Sequence, residues 1–277
     1  MGLENFIPEI WSSSLLVQLR KSLVFGALAN RDYEGEIRGA GDTVDIVELG
    51  SVAVGDYTKN GSIKWQTMDS AAKKLLIDKQ KYFAVKLDDI DRAQSKINVV
   101  DGLMQESAYS VADVVDQDLS LLYSEAGNTV SALTVTAGNV IQNVANLALK
   151  LDEENVPQSG RYLIVPPWYN QYLTLAASGA VSATATVKIL DNGAILNGWV
   201  GRFWGFDVLV SNNVYYSGSV YYPMALNKTA LAYAGQISKI ESTRIEDGFQ
   251  EGIKGLYVYG AKVVRPKALV TCAATRG

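Results

Sequence analysis

The chain has 277 residues, 48% hydrophobic and 19% charged, with a formal net charge of −4, an ordinary globular composition with enough length for one large domain or two. It has no histidine and a single cysteine, Cys272, which excludes Ser-His and Cys-His nucleophiles, histidine bases, intrachain disulfides and thiolate metal clusters. No basic block marks a dedicated nucleic-acid binder, no apolar run reaches the roughly 18 residues of a membrane span, and the N-terminus lacks a signal-peptide pattern, which implies a soluble protein made in a cytoplasm.

Residues 1–30 form an apolar arm. Pro8 suits the first turn of a helix whose apolar side is Ile10, Trp11, Leu15, Leu19 and Leu23, with Val17, Val24 and Phe25 spreading it. So apolar an arm packs on something, and another subunit is a candidate. Residues 31–42 read as a loop. Thr43–Leu49 reads as a strand and Lys73–Leu87 as a longer one, joined through Gly50, Gly55, Asn60 and Gly61, so the pair is predicted to be a long hairpin with a flexible tip. Such a hairpin is not stable alone and needs a neighbour. Its return strand carries Lys73, Lys74, Lys79, Lys81 and Lys86 against one acid, Asp78.

Asp88–Lys96 is a polar connector into the element that organises the chain. From Asn98 to Ala126, Val100, Leu103, Met104, Ala108, Val111, Val115, Leu119 and Leu122 recur at helical spacing, predicting a helix of about 28 residues and roughly 40 Å. Asn98 or Asp101 caps its start, and Gly127 supplies a left-handed residue at its end. Between Ile97 and Leu149 there is no Lys or Arg, but six acids: Asp101, Glu106, Asp113, Asp116, Asp118 and Glu125. The spacing puts the first four opposite the apolar stripe, as either a solvated face or one that meets a basic partner, while Asp118 projects into the stripe. Buried there, Asp118 needs a partner from the terminal strands, Lys262 or Arg265 being candidates.

A strand Val130–Val135, an amphipathic helix from Val140 to Leu151, a strand Arg161–Val165 and a helix Trp168–Ala177 follow. The small-residue stretch 179–186 reads as a mobile loop. Asn-Gly turns at 192–193 and 197–198 then lead to strands at Phe206–Ser211, Val220–Leu226 and Thr229–Tyr233. Gln236–Ile245 is polar and alternating, Glu246–Gly255 an acidic loop, and Leu256–Val264 and Ala268–Ala273 are apolar strands. Cys272, within the last run, reads as a buried inert thiol.

The sequence, in Phe6-Ile7-Pro8-Glu9-Ile10-Trp11, Asn30-Arg31-Asp32-Tyr33-Glu34-Gly35, Gly41-Asp42-Thr43-Val44 and Lys262–Val270, and in the order of its parts, resembles the major capsid proteins of tailed bacteriophages. The resemblance covers nearly the whole chain. It implies an α+β Hong Kong 97-like fold: N-terminal arm 1–40, E-loop 41–87, P-domain 88–136 with the spine helix, mixed α/β A-domain 137–240, and return strands 241–277. It further implies a structural protein that assembles as pentamers and hexamers into an icosahedral shell around double-stranded DNA, in the virion, built in the bacterial host cytoplasm. Expected partners are further copies, a separate scaffolding protein, a portal and a decoration protein. No cleaved scaffolding region precedes the arm, so the chain is either already mature or scaffolded by another protein. In this fold the E-loop lies across the neighbour's P-domain, so Lys73, Lys74, Lys79, Lys81 and Lys86 are expected to meet Asp101, Glu106, Asp113 and Asp116 of an adjacent subunit.

No catalytic, cofactor or metal residues are assigned. Some family members crosslink through an E-loop lysine, but Lys59 and Lys64 read as surface lysines. Glu246, Asp247 and Glu251 read as a solvated turn rather than hydrolase acids or calcium ligands. Two alternatives stand beside the capsid reading: the shell of a cellular nanocompartment, and a histidine-free, carboxylate-dependent hydrolase.

Overall fold

The computed structural model describes residues 23–32, 43–48, 56, 59, 71–88, 99–177, 199–245 and 250–277. The arm before residue 23, the hairpin tip apart from residues 56 and 59, the connector 89–98, the stretch 179–186 and the two Asn-Gly turns lie outside these residues.

After a single helical turn, α1 (Phe25–Leu28), the hairpin is present. β1 (Thr43–Glu48) runs antiparallel to β2 (Ala71–Leu76), with Thr43 opposite Leu76 and Glu48 opposite Ala71. Its return strand, however, is not the continuous Lys73–Leu87 expected. After Ile77-Asp78 the chain changes sheets, and β3 (Lys79–Asp88) pairs with β12 (Gln250–Val263). The crossing point is set by Gly260 of β12, where a Cβ would lie 2.2 Å from the Leu76 carbonyl oxygen. Only a residue without a side chain lets the two backbones approach so closely.

The spine is α2 (Val99–Ser120), continued by a 3-10 turn over Leu121–Glu125. It ends differently from the sequence expectation. Ala126 closes it in an extended conformation, and Gly127 is not left-handed. Glycine stands there because a Cβ would lie 2.6 Å from the Pro266 backbone, to whose oxygen Gly127 N–H donates at 2.9 Å.

β11 (Leu231–Ile245) and β12 form a long hairpin. The polar alternation from Gln236 is thus strand, as is Gln250–Gly255, which was expected to be loop. The 240/241 domain boundary therefore falls inside β11. Alternation explains the packing of the three-stranded sheet β11-β12-β3, because a strand sends successive side chains to opposite faces. Tyr233, Tyr257 and Tyr259 point to the spine, packing with Val111, Ala112, Val115 and Leu119. Ala232, Ala234 and Val258 point the other way, against Val44, Ile46, Leu75 and Ile77 of the hairpin. The hairpin root thus rests on its own subunit, as a third layer.

The second sheet has the order β6-β7-β5-β10-β13-β9-β8, with β4 joined to β13. β4 (Asn128–Val135) is parallel to β13 (Leu269–Arg276), and β5 (Arg161–Val165) is parallel to β7 (Phe206–Val210). The remaining pairs, formed by β6 (Trp199–Phe203), β8 (Tyr216–Ser217), β9 (Val220–Tyr221) and β10 (Met224–Asn227), are antiparallel. On one face Leu163, Val165, Val208, Ala225, Val270 and Cys272 meet α3 (Val140–Glu153) and α4 (Pro167–Ala177). On the other, Ile164, Met224, Leu226 and Leu269 join the core under the spine. Cys272 is buried and its thiol is pushed up to about 12 by burial, the hallmark of an inert cysteine.

Candidate assembly surfaces

The nine charged residues expected to meet across subunits fall into different settings. Lys79 and Lys81 are taken up within their own chain. Asp118 of the spine accepts a short hydrogen bond from the Tyr259 hydroxyl, and its Oδ2 lies 3.5 Å from Lys79 Nζ and 3.9 Å from Lys81 Nζ. The reason is the change of sheet after β2, which lays β3 alongside the spine instead of away from it. The partner of Asp118 does come from a terminal strand, but it is a tyrosine rather than Lys262 or Arg265. Burial, then the adjacent carboxylate, raises the Tyr259 hydroxyl far above its ordinary value, so it remains a donor.

Asp116 is not on an exposed acidic face: it is 2% exposed. Its carboxylate accepts the backbone N–H of Val24 at 2.6 Å and of Gly26 at 3.3 Å, at the root of the arm. Burial raises its pKa to about 6, partly offset by these N–H groups. The arm root covers this sector of the helix, with Leu23, Phe25, Leu28 and Ala29 all buried. Helical spacing alone gave no hint of such a cover. Asp113 is half-buried and also engaged in-chain, accepting from Asn213 Nδ2 and Gln117 Nε2 at 2.8 Å each.

Lys73 donates to the Val264 carbonyl at 2.5 Å, and Lys262 reaches the Lys74 carbonyl at 3.2 Å. Together they tie the hairpin root to the strand region beneath it. Lys74, Lys86 and Glu106 have exposed side chains, while the side chain of Asp101 lies outside the described residues.

Two features carry no sequence signal. The register Tyr82–Leu256–Lys239 and Ala84–Lys254–Glu241 assembles an outer patch on the part of the sheet beyond the hairpin root. Tyr82, 79% exposed, stands there beside Lys86 and the bridged set Lys239, Glu241 and Lys254. The two lysines hold Glu241 down to about 2. At the C-terminal end of the spine, Tyr123 stacks on Tyr215 and on Tyr222, with ring centroids 4.9 and 4.2 Å apart, and those two rings are 5.8 Å from each other, a three-ring cluster. Both depend on residues brought together from distant positions.

Among the described residues, no group of three or more His, Cys, Asp or Glu could hold a metal ion, and no helix is long and apolar enough to cross a membrane. The described residues thus form extended layers with a buried arm root and an exposed aromatic-basic patch.

Comparison with known proteins agrees. A search of the curated proteins finds no match. Among solved structures, the chain is similar to that of Mycobacterium phage Che8, at 26% identity and TM-score 0.70 over 90% of both chains. It is also similar to the capsid of cyanophage P-SCSP1u, at 16% identity and TM-score 0.70, over 93% of this chain and 90% of that one. A virus-like particle from Pyrococcus furiosus shares the fold at 12% identity and TM-score 0.60, over 96% and 99% of the two chains. The α+β fold is the Hong Kong 97-like one. With residues 72–272 matching the family described as phage capsid protein, well over half of its length, this chain belongs to that family.

Proposed function

We propose that this protein is the shell subunit of a tailed-phage head, assembling as pentamers and hexamers into an icosahedral capsid around double-stranded DNA. The family match over residues 72–272 carries this reading. The role is structural rather than enzymatic. Assembly takes place in the bacterial host cytoplasm with a separate scaffolding protein, and a portal and decoration protein join the head. Of the expected inter-subunit residues, the exposed Lys74, Lys86 and Glu106, with Asp101, remain in the proposed contact. Lys73, Lys79, Lys81, Asp113 and Asp116 instead shape the subunit that makes it.

The chain has no basic block, so DNA is contained by the shell and touched weakly and without sequence preference. A second reading, a nanocompartment shell, draws on the Pyrococcus furiosus particle. Nucleic-acid content separates the two. Purified mature particles should yield double-stranded DNA protected from nuclease, and free subunits should bind DNA only at low salt. Particles filled with a protein cargo, or sequence-selective binding that survives high salt, would contradict the phage-head reading.

A further inference from the structure

We propose that Asp116 is the latch that seats the arm root, residues 23–30, on the spine, and that this root docks more tightly when the carboxyl is protonated. The geometry comes first. Residues 23–30 are held at two points. At the downstream point Asn30 is bridged to β11, donating to the Leu231 carbonyl at 2.8 Å and accepting from Tyr233 N–H at 3.0 Å. At the upstream point the Asp116 carboxylate accepts from the backbone N–H groups of Val24 and Gly26, at 2.6 and 3.3 Å. Opening the upstream point therefore uncovers Asp116 and the backbone of residues 24–26 while leaving the bridge at Asn30 closed.

Docking buries the Asp116 carboxylate, and lifting the arm root would return it to water. Burial of a charge is costly unless its partners compensate. Here the backbone N–H groups of Val24, Gly26 and Phe25 compensate only partly, so burial lifts the carboxyl to about 6 against an ordinary 3.8. The other charged groups around it are Asp113 on the same helix, which adds to the shift, and Arg31 on the arm, whose Nε donates to the Gly26 carbonyl at 2.9 Å. The sheet contributes Tyr233, Tyr257 and Tyr259 to this core, phenols that titrate near 10 in solution.

The direction follows from linkage. The docked state holds the proton more tightly than the open one, so acid favours docking and the preference fades as pH rises through about 6. Between pH 5 and 7.5 this is about a tenfold change in the docking equilibrium, since each pKa unit is a factor of ten. The latch does not depend on the phage-head reading; its consequence, an arm freed to engage other copies at neutral pH, does.

The test is hydrogen exchange on the full chain at pH 5.0 and 7.5, corrected for intrinsic rates. Amides of residues 24–28 should be about tenfold better protected at pH 5.0, whereas those of β10 and β13 should not change. Asp116→Asn, isosteric and unable to ionise, should flatten the pH response of the arm root. Equal change in β10 and β13, an arm root with no pH response in the unmodified chain, or an unchanged slope in Asp116→Asn would each overturn the latch. If the variant does not fold, the first two outcomes still decide. Failure to form particles at any pH would count against the phage-head reading and leave the exchange result standing.

Discussion

Glycines in this chain are contact points more often than turns. At Gly260 an added methyl would meet the Leu76 backbone, which cannot swing aside as a side chain does. Gly260→Ala should therefore destabilise the subunit by about 2 kcal/mol or more, read as a fall in melting temperature. Gly102, on the exposed side of the spine with nothing within 4 Å, is the control: Gly102→Ala should stabilise by about 0.5–1 kcal/mol. Equal effects at the two positions would contradict the proposed crossing of β2 over β12. Carboxylates are equally individual. Asp116 is raised and Glu241 lowered, so they act with opposite sign on stability. The contribution of Glu241 is present above its ordinary 4.5 and lost as pH falls towards about 2. That of Asp116 in its neutral form is present at acid pH and lost as pH rises through about 6.

At the scale of elements, periodicity made the spine, α3, β5 and α4 legible, because each buries one face and the face repeats along the sequence. Where a strand changes partners, no repeat records it. Lys73–Leu87 reads as one strand-like run, yet Leu75 and Ile77 face the hairpin core while Phe83 packs against the spine side. Gly260, more than 180 residues away, decides the crossing. Likewise Asp116 sits one turn from Asp113 and looks equivalent on a helical projection, until the arm root covers it. This relocates the lysines. Lys79→Glu with Lys81→Glu sets three acids side by side, so it should lower the melting temperature of the isolated subunit, by about 1–2 kcal/mol at low salt and less at high salt. Adding Asp118→Lys should restore most of it. Adding Asp113→Lys with Asp116→Lys should not, since a lysine at 116 would face backbone N–H groups. An unchanged melting temperature after the lysine reversal would remove the in-chain contact and return these lysines to the subunit interface.

For the whole molecule, the design is three layers at one end and a helix-covered mixed sheet at the other, joined by the core under the spine, to which both sheets contribute. The order of parts along the sequence was enough to indicate this architecture, because it is set by where long amphipathic and alternating stretches fall. The exposed patch was not, because Tyr82, Lys86, Lys239 and Lys254 come together only through strand register. A subunit with an aromatic-basic patch on one side and an arm root seated on its spine is the unit from which the phage-head reading builds a shell. Electron microscopy of particles purified from cells making this chain together with the scaffolding protein of its own gene cluster tests that claim most directly. Closed, uniform shells tens of nanometres across, with this chain as their main component, are the predicted result. Monomers or irregular aggregates from well-folded, scaffold-supplied protein would contradict it.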